Sequence, residues 1–453
     1  MPKIKITKTI FLSIFLVSII SYGQEKDTAV VFKKRVLEST EVDFLASYYD
    51  QDGTHSAVSG GIGSEKLNDL ATNIVVAMPL NDDDVLTVDL GLSAYSSASS
   101  SNINPFESIN NPTPWQASSG ASGNDQLLSG VATYAHSSDN RNFIWNADIS
   151  FSNEYDYTSV GFGGGVTKLF NEKNTEVSVK ANVYLDKWQP IYPKEFEENA
   201  LNGVTVYDQN GVVSNGYLPS KFAPVTSVDR NSYSASFAFS QVLTKNFQFS
   251  VFFDVLQQQG LLSSPYHRTY FADKPHYYVG QPQYIDEYTS PSNIGVYELA
   301  DDIERLPDNR FKLPIGARFN YYINEHFIVR TYYRYYTDDW DLKAHTFNIE
   351  IPVKISDKFT AYPMYRYYSQ TQAKYFAPYQ THLSTEQFYT SDFDLSTFSA
   401  NQYGFGVSYT DLFTKAKLFS FGLKNIDFSF NHYTRSDGLS ANIGTIGFKF
   451  VLQ

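Results

Sequence analysis

Apolar and polar residues alternate with a period of two along most of the chain. Because successive side chains of a β-strand point to opposite faces, this alternation predicts strands with one apolar and one mainly polar face. Helical periodicity is hard to find. The apolar positions of five such segments are Phe143, Trp145, Ala147, Ile149 and Phe151; Val177, Val179, Ala181, Val183 and Leu185; Phe247, Phe249, Val251, Phe253 and Val255; Phe347, Ile349, Ile351 and Val353; and Ile426, Phe428 and Phe430.

Short and long connections between these segments alternate along the chain. Short polar turns occur at 81–84, 171–174, 244–246, 324–326 and 356–358. Longer stretches rich in Pro, Ser, Gly, Asn and Tyr occupy 96–126, 187–230, 258–309 and 372–399. Counting from about Val36 gives 16 candidate strands, an even number. The sequence therefore predicts an all-β fold, a transmembrane antiparallel β-barrel with short periplasmic turns and long extracellular loops.

A secreted β-sandwich or propeller is the soluble alternative. A soluble sheet has little reason to place Phe, Trp, Val and Ile on the outward face of nearly every strand. We find no internal repeat of propeller or solenoid length. The barrel is the better interpretation.

The N-terminal sequence MPKIKITKTIFLSIFLVSIISYGQ has three lysines before a short apolar run and a small-residue cleavage site. It predicts a signal peptide at 1–23, a periplasmic segment at 24–35 and the barrel at 36–453. An exported chain without a spanning helix can still lie in a membrane as a closed β-barrel, so the outer membrane is the expected location.

The final strand resembles the C-terminal signal by which barrel strands are recognised for insertion. Its apolar positions are Ile446, Phe448, Phe450 and Leu452, and the terminal Gln departs from the usual final aromatic residue. The expected partners are accordingly outer-membrane lipid and the barrel assembly machinery.

Composition excludes several classes of function. The formal net charge of -13 argues against binding nucleic acid, which requires a concentrated basic surface. The chain has no cysteine, which excludes disulfides, thiolate chemistry, Cys-ligated zinc and a lipidated N-terminal cysteine. No motif indicates a cofactor.

Strand parity predicts where the charged residues point. In the stretch RTYYRYYTDDWD, Arg330 and Arg334 share the face opposite the apolar positions. An arginine facing mid-membrane lipid costs about 2–4 kcal/mol, so both arginines are expected to face the lumen. The same reasoning turns Arg318, Glu350 and Arg366 inward. Arg318, Arg334, Glu350 and Arg366 are expected at similar depth, with Glu350 orienting the arginines of a constriction.

Earlier strands carry the opposite charge on their inward face, at Asp89, Asp148, Asp186 and Asp254, accompanied by Lys180. A closed sheet would place the acidic and basic groups on different sectors of the lumen, giving a transverse field of the kind that orients polar solutes. The alternative is that these side chains pair with one another and fill the barrel.

Other polar groups have a functional and an ordinary interpretation. The carboxylates of 338–341 offer part of a Ca²⁺ site, but an ordinary loop with Trp340 at the outer membrane interface is preferred. His267 and His276 lie in the longest loop without metal-ligand spacing, so loop packing is preferred and no metal site is predicted. His432 projects toward lipid by parity and lies near Ser429 in sequence. A lipid-facing Ser–His pair would make the barrel a lipid hydrolase, but no sequence motif supplies the positioned nucleophile and base that catalysis requires.

Five long segments carry a family resemblance: 48–67, 263–271, 304–316, 330–346 and 365–379. They resemble the bacterial family called domain of unknown function 3570, over nearly the whole mature chain. Asp341 departs from the Gly expected there, which bears on the hairpin tip. The resemblance implies an outer-membrane barrel of Gram-negative bacteria, and the SYGQ ending of the signal peptide suits a Bacteroidetes-like source. The resemblance also implies that the gene lies near genes for thioredoxin-like proteins and flavin transferases. It thereby suggests periplasmic redox or maturation partners, and it supplies no catalytic residue.

Together these patterns predict a non-enzymatic channel or transporter. Its cargo is expected to be a polar solute or peptide, anionic ones included, and loop 258–309 is expected to act as a lid. Two alternatives stay open. One is a closed structural or assembly barrel that binds envelope partners, and the other is a lipid-active outer-membrane enzyme.

Overall fold

The computed structural model describes residues 35–96, 124–196, 201–218, 223–287, 296–411 and 413–452. Sixteen long antiparallel strands dominate these residues. We number them β1 (Glu41–Asp52), β2 (Leu67–Pro79), β3 (Asp84–Ser96), β4 (Asn124–Ser137), β5 (Phe143–Asn153), β6 (Tyr157–Phe170), β7 (Thr175–Trp188), β8 (Val228–Thr244), β9 (Phe247–Gly260), β10 (Asn309–Tyr322), β11 (Ile328–Asp338), β12 (Lys343–Glu350), β13 (Phe359–Gln370), β14 (Phe398–Thr410), β15 (Phe421–Arg435) and β16 (Ser440–Leu452).

Each strand pairs with the next in sequence, and the last pairs with the first. Along the β1–β16 pair, Glu41 lies opposite Val451 and Asp52 opposite Ser440. Closure leaves no free strand edge, which satisfies the backbone groups of every strand within the sheet. The predicted all-β barrel of 16 strands is confirmed.

The two faces of the barrel differ in polarity. In β5 exposure alternates strictly, with Phe143, Trp145, Ile149 and Phe151 exposed on one face. Other strands present large exposed apolar residues on the same face, for example Leu90, Phe162, Val179, Val251, Phe319, Phe347, Phe405 and Phe428. The continuous apolar face is the outside of a transmembrane barrel, and the polar face lines its lumen.

The glycines of GFGGG, at 161–165 in β6, make room for lumen side chains. A Cβ built on Gly163 would lie 2.4 Å from Asp148 Oδ1 and 2.5 Å from Asn182 Oδ1, atoms of the two neighbouring strands. The absence of a side chain there is what allows these polar groups to fold over β6.

Connections alternate between two ends of the barrel. The end with the short turns, such as 171–174 and 245–246, also holds the start of β1 and the finish of β16, and we call it the turn end. At the opposite end, the loop end, residues 53–66, 189–227, 261–308 and 371–397 form the loop cap, as far as they are described.

The loop cap contains short strands of its own. Arg268–Thr269 pairs with Asp302–Ile303, and Tyr277–Gly280 pairs with Val296–Glu298 and Tyr207–Asp208. No helix among the described residues is long and apolar enough to cross a membrane. The predicted signal peptide at 1–23 and nearly all of the predicted segment at 24–35 lie outside the described residues.

Buried apolar side chains concentrate at the loop end. All four buried clusters found in the described part of the chain lie in the cap or against it, and their members include Leu262, Trp340, Tyr270, Val296 and Tyr297. The cap therefore has a packed core of its own, whereas the described barrel interior has none.

Trp340 corrects one prediction. Its side chain is 3% exposed and packs against Leu262, Leu306 and Ala373 rather than lying at the membrane interface. The Arg310 guanidinium lies over its ring at 4.1 Å, and the indole N–H donates to the Asn309 carbonyl. The loop packs inward over the barrel mouth, which strand parity alone does not reveal.

Candidate functional site

The predicted arginines lie on β10, β11 and β13, three of four consecutive strands, and the register assigns them to successive rows. Arg330 lies opposite Glu350, Arg318 lies opposite Tyr332, and Arg334 lies opposite Thr346. Arg366 belongs to the row of Arg318 and Tyr332, because Asn348 opposes both Tyr332 and Arg366. Rows two residues apart are about 7 Å apart along a strand. The expected single band is thus spread over three rows.

Arg330 forms the one ion pair of this wall within the described residues. Its Nη1 lies 2.8 Å from Glu350 Oε1. Within the part of the chain that the structure describes, Glu350 forms no ion pair with the other three arginines, which corrects the expectation that it orients the whole set. The Arg330 side chain is 54% exposed although it lies on the inner face of a closed barrel. Neighbouring protein groups therefore do not enclose the Arg330 side chain.

The remaining arginines have no carboxylate within ion-pair distance in the described part of the chain. Arg318 is held by two aromatic rings instead, at 5.4 Å from the Phe252 centroid and 5.5 Å from the Tyr332 centroid. Arg366 is exposed into the lumen, and Arg334 Nε is buried without a hydrogen-bond acceptor. This wall carries unneutralised positive charge.

Two of the predicted acidic residues, Asp89 and Asp148, lie on the facing wall, whereas Asp186 lies on β7 between the two walls and Asp254 lies on β9, next to β10 of the arginine wall. Asp89 on β3 accepts a hydrogen bond from Asn73 at 2.6 Å, and Asp148 on β5 lies 3.7 Å from Lys180 Nζ. Asp186 accepts a hydrogen bond from the Tyr157 hydroxyl, and its Oδ1 has no partner among the described residues. Asp254 lies on the inner face of β9 opposite Ser236.

The two walls oppose each other because of strand count. In a closed ring of 16 strands, strands eight apart face each other across the lumen. Asp89 on β3 thus faces the strand of Arg330, and Asp148 on β5 faces the strand of Arg366. The lumen has a basic and an acidic side.

A cavity of about 1160 Å³ lies at the loop end of β4–β8. Its lining includes the carboxylates Asp125, Glu154, Asp156, Asp186 and Asp229. Lys187 offsets one of them, at 3.5 Å from Asp229. The cap reaches this region through Tyr266, whose hydroxyl donates to Asp156.

The loop cap is held together by buried polar contacts. Arg268 Nε lies 2.6 Å from Glu195 Oε1, and both side chains are almost fully buried. The Tyr389 hydroxyl donates to Asp302 at 2.6 Å. Arg435, at the loop end of β15, connects this strand to the cap through an ion pair with Asp394 at 2.6 Å. These contacts join loops that are far apart in sequence.

A cluster of His267, Glu304 and Asp392 lies at the centre of the cap. His267 Nδ1 is 3.5 Å from Glu304 Oε1 and 4.0 Å from Asp392 Oδ2. Burial lowers the pKa of His267, but the Glu304 and Asp392 carboxylates outweigh burial and raise it to about 9. Burial also raises the pKa of Asp392 to about 6.

Two cavities flank this cluster. One, of about 640 Å³, extends from His267 and Asp392 to wall residues of β1 and β13–β16, including Arg366 and Arg435. The other, of about 360 Å³, extends from the same two residues to β7–β10, including Arg310. Those two groups of strands lie on opposite sides of the barrel, so the cluster of His267, Glu304 and Asp392 lies between them, over the lumen.

Two candidate constellations of the sequence do not form. Ser429 and His432 differ by an odd number of residues and lie on opposite faces of β15, and His432 Nδ1 instead lies 2.9 Å from Asn442 Oδ1. Asp338 is bound to Arg310 at 2.5 Å rather than available to Ca²⁺. Asp341 has φ 65°, the left-handed conformation that favours the Gly expected in the family, and Asp tolerates it better than most residues.

Sequence reasoning missed Glu304, Asp392, Glu195 and Arg435. All four act at the loop end, where the period-two pattern that located the lumen residues stops. His267 is separated from Glu304 by 37 positions and from Asp392 by 125, and no spacing rule connects them.

The fold and the lumen define a closed, 16-stranded transmembrane barrel with a structured loop cap. The sequence profile of the family described as "Protein of unknown function (DUF3570)" matches residues 12–446. The chain therefore belongs to this family, as its motifs predicted. No curated protein matches it in sequence.

Solved barrels share only its general architecture. A bacterial polysaccharide outer membrane secretin has a TM-score of 0.42 at 9% identity, covering 92% of this chain and 99% of that chain. OccK2 (OpdF) of Pseudomonas aeruginosa, solved with glucuronate, has a TM-score of 0.38 at 8% identity, covering 93% of this chain and 99% of that chain. The Pseudomonas putida toluene transporter TodX has a TM-score of 0.37 at 9% identity, covering 92% of this chain and 90% of that chain. At these scores the likeness carries no inference about cargo.

Proposed function

We propose that this protein is an outer-membrane channel that passes a polar solute with an anionic group through an arginine-lined lumen beneath the loop cap. One observation carries the proposal: Arg330 is 54% exposed and Lys180 47% exposed while both lie on the inner face of a closed barrel. A lumen filled by paired side chains would bury them. Barrels of this strand number are wide enough for an aqueous interior.

The charge of the lumen supports an anionic group on the solute. Arg318, Arg334 and Arg366 line one wall without carboxylate partners in the described residues. Guanidinium groups bind carboxylates and phosphates in a planar, two-point geometry. Stacking of Arg318 on Phe252 and Tyr332 fixes its plane in advance. A solute with a negative group on one side and a positive or hydroxylated group on the other fits the transverse field.

The loop cap supplies selection at the mouth. The lid predicted for 258–309 becomes, in this proposal, one part of a larger cap to which 371–397 contributes equally through Tyr389 and Asp392. Cavities of about 640 and 360 Å³ remain between the cap and two sides of the barrel, β1 with β13–β16 and β7–β10. A solute entering from the loop end would pass through one of them.

The apolar outer face supports the membrane location. Export by the predicted signal peptide, insertion by the barrel assembly machinery and contact with outer-membrane lipid complete this proposal. The turn end, which holds both ends of the barrel sheet, would face the periplasm, as in barrels of this kind.

Conductance in planar bilayers tests the proposal. We would compare the wild-type chain with a cap-trimmed variant in which residues 262–306 are replaced by a short Gly-Ser turn. The proposal expects a small conductance from wild type and a larger one from the trimmed variant, both favouring chloride over potassium. Absence of current from both proteins, each shown to be a folded barrel by heat-modifiable migration, would refute it.

A closed assembly barrel is the second candidate, favoured by the packed core of the cap. Val296, Thr390 and Ala300 are at most 1% exposed, which is unusual for loops that open freely. Such a barrel would bind envelope proteins, including the redox or maturation proteins that the family resemblance suggests. Recovery of a stable complex from native membranes, together with no current from the trimmed variant, would favour this candidate.

A further inference from the structure

We propose that His267, Glu304 and Asp392 form a divalent transition-metal site at the centre of the loop cap. One imidazole nitrogen and two carboxylates from two separate loops converge there, with their ligand atoms all within 4.8 Å of one another. Nitrogen and oxygen donors in this combination suit Zn²⁺, Mn²⁺ or Fe²⁺, whereas Ca²⁺ and Mg²⁺ favour oxygen donors alone.

The distances require little rearrangement. Ligands about 2.0–2.2 Å from one ion lie about 3–3.5 Å from each other. His267 Nδ1 is already 3.5 Å from Glu304 Oε1 and 4.0 Å from Asp392 Oδ2. Small rotations of the Asp392 and His267 side chains would bring all three donors to coordination distance.

Hydrogen bonds orient the carboxylates from behind. Glu304 accepts one from the Ser264 N–H and one from the Thr390 hydroxyl. Asp392 Oδ1 accepts one from the Asp394 N–H at 2.9 Å, which leaves Oδ2 directed at His267. Such outer contacts are the ones that fix metal ligands and tune their affinity.

Charge and space also permit an ion. With a neutral imidazole, the two carboxylates give the three ligands a net negative charge. The nearby cations do not cancel it, because Arg310 is paired with Asp338, and Arg435 is paired with Asp394 and Asp437. The flanking cavities leave room for water or a solute donor to complete the coordination. Binding would displace the proton that His267 otherwise carries between the two carboxylates.

An ion there would cross-link the cap over the lumen. His267 and Glu304 belong to 261–308, and Asp392 belongs to 371–397. A ligand that binds only the assembled arrangement stabilises it in proportion to its concentration over its dissociation constant. The site would thus hold the two largest cap loops together above the arginine wall.

Metal titration of the purified full-length barrel in detergent tests this site. The protein is stripped with EDTA and titrated with Zn(II) by calorimetry, and Co(II) is added separately to record its visible spectrum. We expect one ion per chain in the wild type and at least a tenfold weaker affinity in His267→Ala and in the isosteric Asp392→Asn. His326→Ala, an exposed histidine at the turn end, should bind as the wild type does.

The readout is independent of transport, so its failure is distinguishable from failure of the channel proposal. Heat-modifiable migration confirms that each variant is a folded barrel before titration. The site is refuted if the wild type binds no stoichiometric metal, if both cap variants bind as tightly as the wild type, or if His326→Ala alone removes binding.

Discussion

Arg330 and Glu350 lie 2.8 Å apart on β11 and β12, and this pair leaves more than half of the Arg330 side chain exposed inside the barrel. An ion pair in such a wet environment contributes little to stability, about 0–1 kcal/mol. The neighbouring arginines have no such partner in the described residues. This weak pairing supports the proposal that the wall contacts a passing solute.

Removing the unpaired arginines should reduce anion selectivity. We predict that Arg318→Ala, Arg334→Ala and Arg366→Ala together lower the chloride-to-potassium permeability ratio about two- to tenfold. Three positive charges roughly 8 Å from a passing ion contribute on the order of 1–1.5 kcal/mol in water, less at physiological salt. The reversal potential under a KCl gradient measures this ratio.

Arg330→Ala is the comparison for that experiment. This substitution removes one positive charge and also leaves the Glu350 carboxylate without its partner. It should therefore lower the chloride-to-potassium permeability ratio more than the substitution of any one of the unpaired arginines. An unchanged ratio in the triple variant would show that the arginine wall does not contact the permeating ion.

Two adjacent positions on β4 test which face meets lipid. Ala132 lies opposite Ile149 on the apolar face, whereas Thr133 lies opposite Asp148 on the polar face. We predict that Ala132→Arg lowers the free energy of unfolding by about 2–4 kcal/mol near the membrane centre. Thr133→Arg should cost far less, because its charge meets Asp148 in water. Urea unfolding in lipid vesicles, followed by tryptophan fluorescence, compares them, and equal costs would contradict the assigned faces.

The buried pair Arg268–Glu195 should control the stability of the cap alone. Arg268→Ala leaves the Glu195 carboxylate buried without its main partner, which costs about 3–5 kcal/mol of local stability. Amide hydrogen exchange in 261–287 should accelerate while barrel strands keep their protection. Lys187→Ala, which breaks an exposed pair with Asp229, should leave exchange in the cap unchanged. Uniform acceleration across the barrel would show that cap and barrel unfold as one unit.

The cap should loosen as pH rises. Burial raises the pKa of Asp301 to about 6, and the hydrogen bond to Glu298 raises the pKa of His276. A buried acid with a raised pKa favours folding while protonated, and a histidine with a raised pKa favours folding while charged. Both contributions are present at low pH, and they are lost between about pH 4 and 6 for Asp301 and above about 6.5 for His276.

Hydrogen exchange in 268–280 at pH 5 and at pH 8.5, corrected for intrinsic exchange rates, measures this dependence. Protection should be greater at pH 5. Asp301→Asn should lessen the difference, because an amide cannot ionise. Greater protection at the higher pH would contradict the assigned environments, which include Glu298 and Lys274 near Asp301.

The barrel could be derived from the sequence because its physics is local and repetitive. Phe143, Trp145 and Ile149 alternate with polar residues since lipid and water lie on the two sides of one strand. The same parity placed Arg318, Arg330 and Asp148 on the inner face. Parity does not give the register between strands, and for this reason Glu350 was assigned to four arginines when it contacts one.

The cap could not be derived in this way. Its contacts, such as Arg268 with Glu195 and Tyr389 with Asp302, join residues more than 70 positions apart. No repeating pattern links such residues, and loops follow no fixed period. Trp340 was misplaced for the same reason, since an aromatic residue just beyond a strand suits a membrane interface and a packed loop equally well.

Thiol labelling tests most directly whether the arginine wall borders water. The chain has no cysteine, so a single one can be introduced without background. Asn348 lies between Tyr332 and Arg366 on the inner face, and Ile349 is its neighbour on the outer face. In vesicles, Asn348→Cys should react readily with small water-soluble methanethiosulfonates, faster with an anionic reagent than with a cationic one, while Ile349→Cys stays unreactive. An unreactive cysteine at 348 in the folded barrel would contradict a water-filled, arginine-lined lumen.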